Sequence, residues 1–224
     1  MELLCKEDSE TGRIAANRAE EIISLLERYI KEIELFNAAY GLVAAGGTKE
    51  IVIRHIFDSL APLGKISRLL VGKDKTNTPQ IADAGSGAGL PGIPLAIALP
   101  ECNFTLIERM GRRTGFLYNT KAILGLSNIT VEQSELEKIK SGRFSLITFR
   151  AFKPIEPKLL KTLINVCAKD GIIAAYKGRL EKIKQEISSL EKTCGKWEAI
   201  PYSVPFLDEE RHLLVIRGWD TAVK

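Results

Sequence analysis

Apolar residues recur at three- and four-residue steps early in the chain. Ile22, Leu26, Tyr29, Ile30, Ile33 and Phe36 share one helical face, with Glu20, Glu21, Glu27, Arg28, Lys31 and Glu34 between them. The spacing predicts an amphipathic helix ending near Asn37, ahead of Gly41. Gly46-Gly47 is a break, after which Thr48 can cap a second helix with Ile51, Val52, His55, Ile56 and Leu60 facing inward. Pro62 and Gly64 close it. A third, short helix is expected from Ile66 to Val71, before the polar turn Gly72 to Pro79.

The period then changes. Ile81 to Ala84 is a short apolar run ending in glycines, the mark of a buried strand. The signal returns at Phe104 to Ile107, Ile129 to Val131, Phe144 to Phe149 and Gly171 to Tyr176. Helical stretches alternate with these strands: Leu90 to Leu99, Arg112 to Leu124 with Phe116, Leu117 and Ile123 on its apolar side, Lys158 to Cys167, and Leu180 to Lys192. Two last strands, Trp197 to Val204 and His212 to Arg217, flank a loop from Pro205 to Glu210 and suggest a hairpin at an antiparallel edge. Alternation of this kind predicts a Rossmann-like α/β domain, residues 73–224, with a mostly parallel sheet covered on both faces. Residues 1–72 form an N-terminal helical extension packed with it as one globular unit.

Composition narrows the class. The chain has 224 residues, 45% hydrophobic and 27% charged, which is ordinary for a globular protein and argues against disorder. No apolar run is long enough to cross a bilayer, and the first residues lack the pattern of a signal peptide, so a cytoplasmic location and no membrane partner are expected. Lys and Arg exceed Asp and Glu by 32 − 28, a formal charge of +4, too small an excess to mark a nucleic-acid surface without clustering. Cys5, Cys102, Cys167 and Cys194 form no C-x-x-C pair and have no His at zinc-ligand spacing, so no metal site is expected.

Candidate chemistry concentrates in Asp83-Ala84-Gly85-Ser86-Gly87-Ala88-Gly89-Leu90-Pro91-Gly92, which follows the first strand and opens a helix. Ligands of open α/β sheets bind beyond the carboxyl ends of the strands. Two cofactors compete for the loop. Gly87-x-Gly89-x-x-Gly92 matches the dinucleotide fingerprint, whereas Asp83-x-Gly85-x-Gly87-x-Gly89 matches the acidic loop typical of S-adenosylmethionine (AdoMet) enzymes. A pyrophosphate wants a helix N-terminus and no anion nearby. A sulfonium and an ammonium group suit a carboxylate, so Asp83 favours AdoMet. Glu108 ends the second strand roughly 20 residues on, where an acid can accept the hydroxyls of a ribose; both cofactors contain one. Leu136-Glu137 follows the third strand, where a side chain and a backbone amide could meet an adenine.

Several motifs together carry a resemblance: Asp83 to Gly92, Thr105-Leu106-Ile107-Glu108, Gly111-Arg112-Arg113 with Phe116-Leu117, and Arg150-Ala151-Phe152. His55 with Asp58-Ser59-Leu60, Tyr176-Lys177-Gly178 and Glu210-Arg211-His212-Leu213 add to it. From about Phe36 to Arg217 the chain resembles the bacterial 16S ribosomal RNA guanine-N7 methyltransferase family (RsmG, also called glucose-inhibited division protein B). The resemblance implies a class I AdoMet-dependent methyltransferase fold and methylation of a guanine at N7 in the 530 loop of 16S rRNA, as naked RNA or in a small-subunit particle. It implies cofactor contacts at Gly85, Leu90, Glu108, Leu136-Glu137 and Arg150, beside Asp83 and Gly87 of the loop. Many relatives carry Asp in place of Glu108 and a Trp-Asn pair where this chain has Leu35-Phe36-Asn37.

Guanine N7 has an in-plane lone pair and no proton, so no general base is required, and none stands out. Arg150, at the end of the fourth strand, is a candidate orienting residue for cofactor, guanine or phosphate. No N-P-P-[YF] motif for adenine amines follows that strand, and no cysteine stands in a strand-end motif for covalent attack. His55 and His212 read as structural. RNA phosphates would meet Arg112, Lys177 and Arg211, with Arg109, Arg113, Lys153 and Arg179 as further candidates. Nothing demands more than a monomer. A methyltransferase for another substrate and a non-catalytic nucleotide-binding regulatory module are the alternatives. Gly85→Asp is expected to abolish AdoMet binding by crowding the loop; calorimetry showing retained affinity would contradict the placement of the site.

Overall fold

The computed structural model describes residues 1–44, 46–71, 78–150, 154–190 and 194–219. Ala151, Phe152, Lys153, Lys192, the turn residues 72–77 and the expected boundary at 72/73 lie outside them.

Two short helices, α1 (Glu2–Glu7) and α2 (Ser9–Ala15), open the chain. They have no long apolar period to announce them; Asp8 caps α2 by accepting from the Glu10 and Thr11 N–H groups at 2.9 and 3.1 Å. The long helix α3 runs Ala19–Tyr40, burying Ile22, Leu26, Tyr29, Ile30 and Ile33, and stops at Gly41, whose φ of 58° is left-handed. The second helix does not run regularly. A turn of α-helix, α4 (Thr48–Ile51), passes into a π-helical segment, Val52–Phe57, and back into α5 (Asp58–Leu60). Thr48 is the first residue of α4 rather than its cap, and its hydroxyl donates to Glu34 of α3. The wider π turn shifts the inward face, so Ile51, Ile56 and Leu60 are buried while Val52 and His55 are only partly so. Helix α6 is Leu63–Leu70.

The sheet follows: β1 (Gln80–Ala84), α7 (Gly92–Ala98), β2 (Asn103–Glu108), α8 (Gly111–Leu124), β3 (Ile129–Gln133), a 3₁₀ turn (Leu136–Lys138), β4 (Phe144–Arg150), α9 (Pro157–Val166), β5 (Cys167–Lys177), α10 (Leu180–Ser188), β6 (Lys196–Val204) and β7 (Leu207–Arg217). Strand order is β3-β2-β1-β4-β5-β7-β6, with β1 to β5 parallel and β7 antiparallel to both β5 and β6. Successive strands are added to one side of β1 as far as β3 and to the other side from β4 on, so the switch point, at which a crevice opens in such sheets, lies between β1 and β4. Four sequence expectations need correction. Cys167 opens β5 rather than closing α9, so the strand starts before Gly171. The hairpin loop shrinks from Pro205–Glu210 to Pro205-Phe206, because Val204 pairs with Leu207 and the acidic stretch after it is strand. Helix α7 begins at Gly92, after the glycine turn, rather than at Leu90. Ile123 is 46% exposed, outside the apolar side expected of α8.

Alternation along β1 divides the interior. Ile81 joins Phe104, Leu106, Leu95, Phe116 and the buried residues of the N-terminal helices in one cluster, while Ala82 and Ala84 face the other, with Phe144, Ile147, Leu163 and Ile183 of β4, α9 and α10. Every residue of α7 is buried. A helix apolar all round needs cover on both sides, here the sheet and the N-terminal helices. Those helices are therefore part of the wall behind the glycine turn.

Candidate active site

The turn after β1 is shaped by one carboxylate. Asp83 is fully buried; its Oδ2 accepts from the Ser86 hydroxyl at 2.6 Å and from the Gly92 N–H at 3.0 Å, closing the loop onto the start of α7. A Cβ on Gly92 would lie 2.6 Å from that oxygen and 2.4 Å from Leu106 Cδ2, so only glycine fits there. Burial pushes the Asp83 carboxyl up to about 6, opposed by the Ser86 and Gly92 hydrogen bonds and by the more distant Arg150 charge. Its second oxygen, Oδ1, has no hydrogen-bond partner.

The loop consumes its own donors. Gly85 and Ser86 N–H both donate to the Ile107 carbonyl at 2.9 and 3.0 Å, and Gly89 and Leu90 N–H to the Ser86 carbonyl at 2.8 and 3.1 Å. Gly87 N–H donates to Glu108 Oε2 at 3.0 Å. Positive φ values at Gly85, Gly87 and Gly89 (68°, 60° and 90°) make this winding possible. Tyr29 of α3 donates its hydroxyl to the Ala88 carbonyl at 2.6 Å and pins the crown of the turn from behind. In the sequence Tyr29 reads only as a member of an apolar stripe. Its hydroxyl, which must find a partner when buried, is the signal that it does more.

Glu108 stands beside the turn at the end of β2, and it is buried. Besides Gly87 it accepts from the Met110 N–H at 2.9 Å through Oε1, and the Arg113 guanidinium lies 3.9 Å away. A carboxylate offers about four acceptor positions, so two remain for ligand hydroxyls. The 3₁₀ turn after β3 is tied alongside by the Ser134 N–H on the Glu108 carbonyl at 3.1 Å. In that turn Leu136 is buried and Glu137 is exposed. Asp83, Gly85, Gly87, Leu90, Glu108 and Leu136-Glu137 thus converge at the carboxyl ends of β1, β2 and β3.

Arg150 ends β4 across the switch point. Its guanidinium is turned toward the N-terminal helices. Nη1 donates to the Arg54 carbonyl at 2.8 Å and to Asp58 Oδ2 at 3.0 Å, and Nη2 lies 3.0 Å from His55 Nδ1. A guanidinium only donates, so His55 Nδ1 accepts, and the ring proton sits on Nε2, 3.4 Å from the Ala44 carbonyl. Burial, seconded by the Arg150 charge, holds His55 below its ordinary value, consistent with a neutral ring. Asp58 is the hub: its Oδ1 also accepts from Tyr202 at 3.1 Å and from Arg211 Nε at 3.3 Å.

The basic candidates separate. Arg109, just before α8, and Arg112, in its first turn, are exposed. Lys177 is locked onto both oxygens of Glu186 at 2.7 and 3.0 Å, and Arg211 is held by Asp58 and by Glu209 at 2.9 Å. Their positive charge is largely matched inside the protein, which weakens both as phosphate ligands. His212 bonds the Gly178 carbonyl at 2.8 Å and braces the sheet edge. Among the described residues no group of His, Cys, Asp and Glu could hold a metal ion, and no helix is long and apolar enough to cross a membrane.

Comparison with known proteins places the chain in a family. The family model described as rRNA small subunit methyltransferase G matches residues 22–214. The ribosomal RNA small subunit methyltransferase G of Treponema denticola is 36% identical over 219 residues, covering 88% of this chain and 86% of the relative. That of Treponema pallidum is 38% identical over 206 residues, covering 90% and 87%. Solved structures are more distant and speak for the fold. A SAM-dependent methyltransferase from Aquifex aeolicus superposes with a TM-score of 0.55 at 14% identity, over 72% of this chain and 92% of that one. The CurJ carbon methyltransferase gives 0.62 at 11%, over 95% and 71%. The fold is that of class I methyltransferases, and the chain belongs to the rRNA small subunit methyltransferase G family.

Proposed function

We propose that this chain methylates N7 of a guanine in the 530 loop of 16S rRNA, with AdoMet as methyl donor bound over the glycine turn. The observation that carries the reading is the fate of the loop donors. Gly85, Ser86, Gly87, Gly89, Leu90 and Gly92 all donate within the chain, and the start of α7 is occupied by the Asp83 carboxylate. A diphosphate would find few free N–H groups and an anion in its place. A cationic nucleoside suits the same surface: Asp83 supplies negative charge from beneath, and Glu108 is already oriented by two backbone bonds to receive ribose hydroxyls. This disfavours the regulatory module built on a dinucleotide.

Bound AdoMet supplies an electrophilic methyl group on a sulfonium. The chain's own part is positioning, because N7 needs no base to free its lone pair. Gly85, Gly87 and Leu90 shape the floor, Glu108 holds the sugar, and Leu136-Glu137 borders the adenine. Arg150 is a positioning residue whose guanidinium, fixed by Asp58 and neutral His55, orders the substrate side of the crevice. The N-terminal helices act as a brace, since they supply Tyr29 behind the turn and Asp58 beside Arg150. On this reading the chain works as a monomer in the cytoplasm, on rRNA or a small-subunit particle.

Mass mapping of small-subunit rRNA from cells lacking the protein should show the loss of one 7-methylguanosine. An unchanged nucleoside profile rules the rRNA assignment out. A second expectation concerns pH. The raised value of Asp83 means that this group's contribution to fold stability is full below its ordinary value of 3.8 and declines as pH climbs through about 6. A bound cation favours the ionised form, so AdoMet affinity should run the other way, rising up to about tenfold between roughly pH 5 and 7. Calorimetry across that range checks it, and Asp83→Asn should flatten the profile; a wild-type affinity independent of pH removes Asp83 from the account.

A further inference from the structure

The tip of the β6–β7 hairpin is built against local preference. Val204 pairs with Leu207, leaving Pro205 and Phe206 as the two central residues of the turn. Phe206 has φ 65°, the sole non-glycine residue with positive φ among those described. Proline first and positive φ second is the type II pattern, whose second position belongs to Gly or Asn, and two-residue hairpins favour the primed turns instead. A phenylalanine there is strained, and strain of this kind gathers at sites of function. Nor does the ring gain burial in return: Phe206 is 75% exposed, more than any other aromatic residue described.

Its place in the fold gives the exposure a direction. Arg150 pairs with Tyr176, and Tyr176 with Leu213, so β7 crosses the row that holds the candidate site. Pairing with β5 ends at Lys177 and His212. Beyond it the hairpin overhangs the carboxyl edge of the sheet, and Phe206 lies seven residues past Leu213, roughly 20 Å along the strand. The overhang is braced. Asp58 holds Arg211, Arg54 holds Glu209 at 2.9 Å, and Glu210 accepts from the Leu180 N–H at 3.1 Å. Between its flank and the start of α10 lies a cleft of about 600 Å³ whose lining includes Arg179, Lys182, Asp208 and Glu210. Arg179 and Lys182 are exposed and make no ion pair among the described residues.

We propose that this tip is a base-stacking contact for unpaired RNA. The Phe206 ring takes the face of one base of the substrate loop, and Arg179 and Lys182 across the cleft take phosphates of the same strand. The inference rests on the rRNA reading above and adds where the RNA lies. Splayed bases of RNA loops are bound by aromatic rings, and every base has a face to offer. A rigid, exposed ring about 20 Å from the reacting edge fits a loop several nucleotides long, of which the methylated guanine is one.

The test uses the full chain with small-subunit particles from cells lacking it and radiolabelled AdoMet. Phe206→Gly relieves the strained φ, so its thermal midpoint should equal or exceed that of the wild type, and its AdoMet affinity should be unchanged. Its KM for particles should rise about ten- to hundredfold, the range expected for one lost stacking contact. Phe206→Trp should stay near the wild type. Arg179→Gln with Lys182→Gln should lower the slope of log affinity against log salt by about 0.7 for each lost phosphate contact. An unchanged KM in Phe206→Gly, a Trp variant as defective as the Gly one, or a lowered midpoint or AdoMet affinity in Phe206→Gly overturns the proposal. So does a wild-type dimer that Phe206→Gly converts to monomer, which makes the tip a protein contact. A wild-type chain that methylates no guanine N7 in the particles overturns the functional reading first, and this one with it.

Discussion

A single buried carboxylate sets the form of the glycine turn. Asp83 sits at the end of β1, paired in register with Leu106 on one side and Thr148 on the other, so it cannot move without the sheet. From there it captures the Ser86 hydroxyl and the Gly92 N–H and fixes both ends of the glycine turn. Burying a charge in such a place is unfavourable unless it is compensated, and two hydrogen bonds compensate it only in part. One oxygen is left without a donor. On the proposed reading, a cation above the turn completes this compensation, and a diphosphate would not.

A second carboxylate organises the strand ends beyond the switch point. Asp58 lies where the π-helical segment of the N-terminal region returns to α-helix, and it joins Arg150 of β4, Arg211 of β7 and Tyr202 of β6. Removing it would leave two guanidiniums and a buried tyrosine hydroxyl without a shared acceptor, a loss larger than that of an exposed ion pair. The N-terminal helices therefore serve both halves of the crevice: Tyr29 reaches the cofactor turn, and Asp58 reaches the strand ends on the far side of the switch point. The wide π turn offers a physical reason for the irregular helix, since it brings the Arg54 carbonyl, His55 and Asp58 onto one guanidinium.

Much of this is legible in the sequence. The parallel core is, because strands buried on both faces leave short apolar runs, and the cofactor turn is, because its glycines and flanking acid are consecutive. The long helix follows from its apolar period, although it runs past the expected end near Asn37 to Tyr40, where Gly41 stops it. Other features depend on partners far away in sequence. Nothing local marks Tyr29 as an anchor for Ala88, 59 residues on. Nothing near Lys177 or Arg211 says that Glu186 and Asp58 will engage them, so both look like free cations in the sequence. The hairpin tip is misjudged for a different reason: Asp208-Glu209-Glu210 has the composition of a loop, yet it continues β7 because that strand runs past the end of β5 at the sheet edge and meets partners on the N-terminal helix and α10. The π turn leaves no trace in the apolar pattern, which is why Val52 and His55 read as inward-facing though both are partly exposed.

The most direct trial of the account is a crystal structure with S-adenosylhomocysteine, the demethylated product. Density for the nucleoside over Gly85 to Gly89, with the Glu108 carboxylate in hydrogen-bond contact with the ribose hydroxyls, is the predicted result. A crevice that stays empty at saturating ligand, or one that accepts a diphosphate nucleotide with its phosphates on the glycine turn, would contradict it.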